Sequence, residues 1–257
     1  MSTALRPVDE DELVLRSGRH PLVRHLAPHR VPGDTAWSYG AAVALVNGYW
    51  DGADEGGDEG GDIMVVGPAQ DAARLAQALA EEQRRPISLP AAAFELLPDG
   101  LLTDPHGWGF RWVDSPVGAD PAAAGWLSHA DADDEVRRLL DDAFPDASFK
   151  PGSPRIRAWA GVRDETGRLI ACAADTTETP GVGFVAAITV RPDLRGQGLG
   201  RRVTGWTLDR LAEREGLAAL WHYGGNRSAA RVYDALGMHR LDMVAAKPGA
   251  PAAPQVS

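Results

Sequence analysis

The chain has 257 residues, of which 44% are hydrophobic and 24% are charged, as in ordinary soluble globular proteins. Its formal net charge of −10 argues against a general nucleic-acid binder, because neutralising phosphates requires a basic face. One cysteine, Cys172, excludes an intramolecular disulfide and a cysteine-rich zinc site. The first residues lack a signal-peptide pattern and no stretch approaches a membrane span, so we expect a cytoplasmic protein without membrane or nucleic-acid partners.

The N-terminal half begins with two apolar runs that predict strands, at residues 41–49 and 63–67. Residues 51–62 (DGADEGGDEGGD) separate them. This acidic segment lacks the ligand spacing of an EF-hand, so we interpret it as a solvated loop rather than a calcium site. A helix is predicted at residues 71–85, with Asp71 as its cap.

A turn-rich stretch at residues 98–109 predicts a domain boundary. We therefore expect an N-terminal α/β region over residues 1–100 and a second domain over residues 106–245. The end of the chain, residues 246–257, has no apolar periodicity and is predicted to be a mobile tail.

The second half contains a regular series of helix and strand patterns. In chain order they predict a strand at 108–113, a helix at 133–144, strands at 155–163, 169–175 and 183–190, a glycine-rich loop, a helix at 199–216, a strand at 218–223 and a helix at 228–236. Residues 183–190 are apolar on both faces, which places that strand inside a sheet. This order predicts an α/β (α+β) fold with a mixed, mostly antiparallel sheet flanked by helices.

The glycine-rich loop carries the strongest functional signal. Gly196, Gly198 and Gly200 stand at alternate positions between a strand and a helix. Glycines allow backbone N–H groups to converge and a ligand to approach, and the helix directs the positive end of its dipole to the same point. The pattern predicts a phosphate cradle. Three arginines beside it add positive charge: Arg195, Arg201 and Arg202.

Two common phosphate motifs do not fit this loop. The third glycine of the dinucleotide fingerprint would fall at Arg201, and no Gly-Lys-Ser/Thr of a P-loop is present. The pattern R-x-x-G-x-G at Arg195, Gly198 and Gly200 instead resembles the acyl-CoA pyrophosphate loop of the GNAT superfamily of N-acetyltransferases.

A second GNAT-like signature follows about thirty residues later. It resembles N-x-x-A-x-x-x-Y-x-x-x-G-[FM] and consists of Asn226, Ala229, Tyr233, Gly237 and Met238. The two signatures occur in the order and the structural contexts of the family, over roughly residues 108–242.

The resemblance implies an N-acetyltransferase that uses acetyl-CoA as cosubstrate, without a metal, on a primary amine of a small molecule. A protein or peptide acceptor, or an inactive CoA-binding regulator, is the alternative. Main-chain groups of Ile188 and Val190 would pair with the pantetheine arm, and Asn226 would bond the same region. Tyr233 would protonate the departing thiolate. The pyrophosphate would be held by the N–H groups of Arg195, Gly196, Gln197, Gly198, Leu199, Gly200 and Arg201.

One family feature is missing from the sequence. Many members carry a carboxylate on the strand before the loop, whereas residues 184–189 contain none. The base that deprotonates the amine therefore stays open between Asp175, Glu178, His222 and a water relay.

Other parts of the sequence give weaker indications. Residues 1–100 resemble a degenerate GNAT-like half in topology, and such a half contributes to an acceptor pocket or a homodimer contact. Three histidines have helix-face spacing, but Pro21 and Pro28 argue against a metal-binding helix there. They are His20, His25 and His29. Cys172 lies in an apolar run and is interpreted as a buried small side chain.

Overall fold

The computed structural model describes residues 5–31, 33, 35–48, 61–83 and 85–249. The chain divides into two compact units. The first comprises Met1–Gly109, Tyr223–Gly225 and Leu241–Ser257, and the second comprises Phe110–His222 and Asn226–Arg240. Most of the predicted acidic loop, residues 51–60, and the end of the predicted tail lie outside the described residues. Among the described residues, no helix is both long enough and apolar enough to span a membrane.

The first unit is a sheet of strand order β1-β2-β3-β4-β5-β12 with short helices and one long helix. Its elements are β1 (Arg6–Val8), α1 (Glu10–Arg16), α2 (Pro21–Leu26), a 3-10 turn (Ala27–His29), β2 (Ala36–Tyr39), β3 (Ala42–Asn47), β4 (Asp62–Val66), α3 (Ala69–Gln83), β5 (Ile87–Pro90), α4 (Ala91–Phe94), the first part of β6 (Leu102–Val113) and most of β12 (His239–Pro248). The buried face of α3, with Leu75 and Leu79, covers this sheet.

The second unit contains a sheet of strand order β11-β10-β9-β8-β7. Its elements are the end of β6, β7 (Gly125–Trp126), α5 (His129–Ala143), β8 (Ala158–Arg163), β9 (Leu169–Asp175), β10 (Gly183–Val190), a 3-10 turn (Pro192–Leu194), α6 (Leu199–Glu215), β11 (Ala218–Tyr223) and α7 (Arg227–Ala235). Strands β9, β10 and β11 have the predicted bounds. The mixed, mostly antiparallel sheet flanked by helices is thus confirmed.

The two units repeat one topology. In each, three antiparallel strands are followed by a helix and by a strand parallel to the third, as β2-β3-β4-α3-β5 and β8-β9-β10-α6-β11. Each parallel ladder consists of two residue pairs, beginning at Ile63↔Ile87 in the first unit and Gly183↔Ala218 in the second. The N-terminal unit is therefore a topological copy of the second, as the sequence predicted.

Three local predictions were wrong. Strand β6 begins at Leu102, inside the predicted turn-rich stretch, and β12 continues to Pro248, into the predicted tail. The Gly249 N–H donates to the Leu101 carbonyl at 2.8 Å, so each segment is stabilised by a partner far away in sequence. In the third case, Asp71 lies in the first turn of α3 rather than capping it. The three histidines do not share one helix: α2 begins at Pro21, because proline is tolerated at the first helical position, and contains His25 but neither His20 nor His29.

Candidate functional site

A cleft of about 660 Å³ lies in the second unit, where β10 ends. Among the described residues, strands β10 and β11 form a parallel ladder near their beginnings. It consists of the pairs Gly183↔Ala218 and Phe184↔Ala219. Farther along, the pairing of β10 with β9 shifts between Ala186 and Thr189, which marks a β-bulge. The last residues of β10, Ile188 to Val190, line the cleft.

The glycine-rich loop forms one wall of the cleft. Gly196 and Gly198 have φ of +80° and +79°, a left-handed conformation that favours glycine. A Cβ added at either residue would meet no described atom within 4 Å, so the loop is open on that side. Gly198 also caps α6, which places the unpaired N–H groups of a 17-residue helix at the cleft. The backbone thus offers a site for an anion.

The structure brings nearly all of the predicted site residues together. The residues among them that line the cleft are Ile188, Val190, Arg195, Gly196, Gly198, Leu199, Gly200, Arg201, Asn226 and Tyr233. Gln197 belongs to the same loop and is exposed, but it is not part of the lining. The roles assigned to these residues stay predictions.

Two of the three predicted arginines donate hydrogen bonds to main-chain carbonyl groups. The Arg195 guanidinium donates to the Ala143 carbonyl at 2.9 Å, at the end of α5, and Arg202 donates to the Ala123 carbonyl at 3.3 Å. Arg201 lines the cleft and is exposed. Arg231 on α7 lines it as well and was missed, because the family signature leaves that position unspecified. The arginines that line the cleft are therefore Arg195, Arg201 and Arg231, whereas Arg202 is not part of the lining.

Tyr233 and Asn226 occupy the α7 side of the cleft. The Tyr233 side chain is 5% exposed, and burial raises the pKa of its phenol while the positive charge of Arg111 opposes that rise. The hydroxyl therefore keeps its proton at neutral pH. Asn226 caps α7, since its Oδ1 accepts from the Ala229 N–H at 3.1 Å. This bond uses the oxygen and leaves the amide NH₂ as a donor.

None of the three candidate bases lies in the cleft lining. Asp175 is fully buried and forms an ion pair with Arg214 at 2.9 Å. It pairs with Val185 near the beginning of β10, away from the cleft. Glu178 forms an ion pair with Arg155. The choice of base therefore stays a prediction.

The remaining sequence candidates have structural roles. Nδ1 of His20 accepts from the Leu22 N–H at 3.2 Å, and burial lowers the pKa of this imidazole to about 4. Burial raises the pKa of the Cys172 thiol to about 12, which makes it a poor nucleophile. Within the described part of the chain, no group of three or more His, Cys, Asp or Glu residues is placed to hold a metal.

In the first unit, the connection between β4 and α3 corresponds to the glycine-rich loop and packs against β3. Gly67, between β4 and α3, packs so closely that a Cβ there would lie 2.5 Å from the Ala42 Cα. In the first turn of α3, Asp71 Oδ2 accepts from the Ala41 N–H at 2.9 Å. A carboxylate in the first turn of a helix repels an anion at that helix end. The connection between β4 and α3 therefore differs from the open loop before α6 in both packing and charge.

Thr204 on α6 is a cleft residue that the sequence did not reveal. Its side chain is 0% exposed and lies on the floor of the cleft. Among the described residues, its hydroxyl has no hydrogen-bond partner. A buried polar group without a partner costs free energy, so this hydroxyl is available to a ligand.

We expect Thr204→Val to weaken acetyl-CoA binding about fivefold and to raise the free energy of unfolding of the ligand-free protein by about 1 kcal/mol. The control is Thr207→Val, because the Thr207 hydroxyl donates to the Val203 carbonyl at 2.8 Å on the same helix. That variant should bind normally and gain no stability. Calorimetric titration and chemical denaturation measure the two quantities. Equal affinities in both variants would contradict a role for Thr204.

Part of the chain is similar to known proteins. The family model described as FR47-like protein matches residues 160–244. A mycothiol acetyltransferase of Rhodococcus jostii (strain RHA1) is 42% identical over 135 residues, and the match covers 50% of this chain and 43% of that protein. The chain thus spans less than half the length of this curated relative.

Solved structures extend the likeness in fold. A GCN5-related N-acetyltransferase from Sphaerobacter thermophilus has a TM-score of 0.56 at 15% identity, covering 97% of each chain. One from Kribbella flavida has a TM-score of 0.54 at 21% identity, covering 93% of this chain and 96% of that one. These identities establish the fold alone. Residues 160–244 are thus similar to the FR47-like family, and the chain shares the fold of GCN5-related N-acetyltransferases.

Proposed function

We propose that the protein transfers an acetyl group from acetyl-CoA to a primary amine of a small molecule. The observation that carries this proposal is the meeting, in one cleft, of an open glycine loop at a helix N-terminus with a buried tyrosine. The loop suits a diphosphate, and a hydroxyl that keeps its proton suits an acid. The cleft volume of about 660 Å³ is large enough for an extended cosubstrate.

The residues of the cleft fit acetyl-CoA, which supplies the reaction with an acetyl thioester. Backbone N–H groups from Arg195 to Arg201 would bind the diphosphate, with the guanidinium groups of Arg201 and Arg231 adding charge. Main-chain groups of Ile188 and Val190 would pair with the pantetheine arm as an added strand does. Thr204 and the Asn226 amide would supply further hydrogen bonds.

The chemistry assigned to the chain is polarisation of a carbonyl and transfer of a proton. A backbone N–H near the end of β10 would polarise the thioester carbonyl for attack by the neutral amine. As the carbon–nitrogen bond forms and the carbon–sulfur bond breaks, the Tyr233 hydroxyl would give its proton to sulfur. The amine releases one proton to water and the phenolate recovers one, so the net products are an acetamide and a thiol.

Two observations guide the choice of acceptor. The relative from Rhodococcus jostii is named for mycothiol, which is a small thiol. The net charge of −10 favours the approach of a cationic amine over that of nucleic acid. Mycothiol lacking its acetyl group is therefore the first acceptor to test.

The test is incubation of the purified protein with acetyl-CoA and an amine panel, with products identified by mass spectrometry. The panel contains mycothiol lacking its acetyl group, free amino acids and peptides with free N-termini. We expect acetylation of a small amine and none of the peptides. Acetylated peptides would favour a protein acceptor. Binding of acetyl-CoA without any product would favour an inactive CoA-binding regulator.

A further inference from the structure

A buried arginine lies behind the proposed acid. Arg111, on the part of β6 that belongs to the second unit, has a side chain 2% exposed. Burying a guanidinium costs several kcal/mol unless its charge is compensated. A buried arginine that is only partly compensated therefore needs a reason beyond packing.

The contacts of Arg111 converge on the turn of α7 that carries Tyr233. Its Nε donates to His222 Nε2 at 3.3 Å, and the His222 ring centroid lies 5.5 Å from that of Tyr233. Its Nη1 lies 3.2 Å from Oδ1 of Asp234, the residue after Tyr233. The guanidinium thus contacts both neighbours of the phenol, one on β11 and one on α7.

These contacts leave Arg111 incompletely neutralised. The Asp234 side chain is 55% exposed, so water screens its charge, and its contact with Nη1 is close enough for an ion pair but is not aligned as a hydrogen bond. His222 adds no negative charge. Because arginine is always a donor, His222 Nε2 must be the acceptor, which fixes the neutral ring with its proton on Nδ1. A net positive charge therefore remains beside the buried phenol.

We propose that Arg111 is the positioning residue for the acid step: through His222 and Asp234 it orients Tyr233, and its charge stabilises the phenolate left after proton transfer. The inference rests on the proposed acetyl transfer. A phenol that gives up its proton in a buried site leaves a negative charge with little solvent, and a fixed cation nearby lowers the energy of that state. The positive charge of Arg111 acts to lower the pKa of Tyr233, which agrees with this role.

The test is a double-mutant cycle, because a purely structural arginine would not act through one hydroxyl. Arg111→Met and Arg111→Lys are made in the native protein and in the Tyr233→Phe variant. In the native protein, we expect Arg111→Met to lower kcat about tenfold, with the KM for acetyl-CoA changed less than about twofold. Arg111→Lys, which keeps the charge, should recover part of the loss. In the Tyr233→Phe variant, Arg111→Met should change kcat less than about twofold.

The outcomes separate this inference from the proposed function. Equal losses in the two backgrounds, or a loss confined to KM, would show a structural role for Arg111 and leave the acetyl transfer intact. A native protein that acetylates no amine would overturn both. If Arg111→Met does not fold, the cycle is completed with Arg111→Lys, whose smaller loss should likewise vanish in the Tyr233→Phe variant.

Discussion

Replacing Gly198 by tryptophan should abolish acetyl-CoA binding, whereas the same replacement at Gly216 should leave binding intact. The two glycines cap opposite ends of α6 with nearly equal φ, +79° and +80°. At each, an added Cβ would meet no described atom within 4 Å. The backbone strain of the substitution is therefore matched, and only the Gly198 variant places a bulky ring at the cleft.

Calorimetric titration measures this difference. The native protein should bind acetyl-CoA with a Kd on the order of 1 μM. The stoichiometry should be one per chain, because the first turn of the corresponding helix in the first unit carries the negative charge of Asp71. Gly198→Trp should lower the affinity at least about 100-fold, since the indole excludes the diphosphate from the helix N-terminus. Native-like binding by Gly198→Trp would show that the glycine-rich loop does not bind acetyl-CoA. Loss of binding by both variants would point to strain in α6 instead.

The sequence predicted those parts of the fold and the site that depend on neighbouring residues. Strands β9, β10 and β11 are apolar runs bounded by turn residues, so their bounds follow from the local pattern. The glycine cradle is similarly local. Gly196 and Gly198, whose φ angles are positive, directly precede the beginning of α6.

The features that the sequence did not predict depend on contacts distant in the chain. Strand β12 follows α7 but pairs with β5, from Met243↔Pro90 to Ala246↔Ile87, and no local pattern encodes that pairing. The hydrogen bond from the Arg195 guanidinium to the Ala143 carbonyl at the end of α5 is a contact that the motif does not predict. Arg111 and Thr204 resemble ordinary strand and helix residues until their burial and their partners are known. Site chemistry beyond the motif therefore required the three-dimensional structure.

Tyr233→Phe should lower kcat about 100-fold at neutral pH and leave the KM for acetyl-CoA within about twofold of the native value. Phenylalanine keeps the ring that packs in the core of the second unit and removes only the hydroxyl. The fold and the cradle should therefore be preserved. Tyr223→Phe is the matched control, because that side chain is 72% exposed and lies outside the cleft lining.

The pH dependence of this loss distinguishes an acid from a packing residue. A free thiol has a pKa of about 8.5, so below that pH the departing sulfur takes up a proton and above it leaves as a stable thiolate. Burial raises the pKa of Tyr233, so its hydroxyl stays protonated across this range. The ratio of native to Tyr233→Phe kcat should therefore be largest below about pH 8 and fall as the pH rises toward 10. Deprotonation of the amine affects both proteins equally and cancels in the ratio. A ratio that does not change with pH would mean that Tyr233 only shapes the cleft.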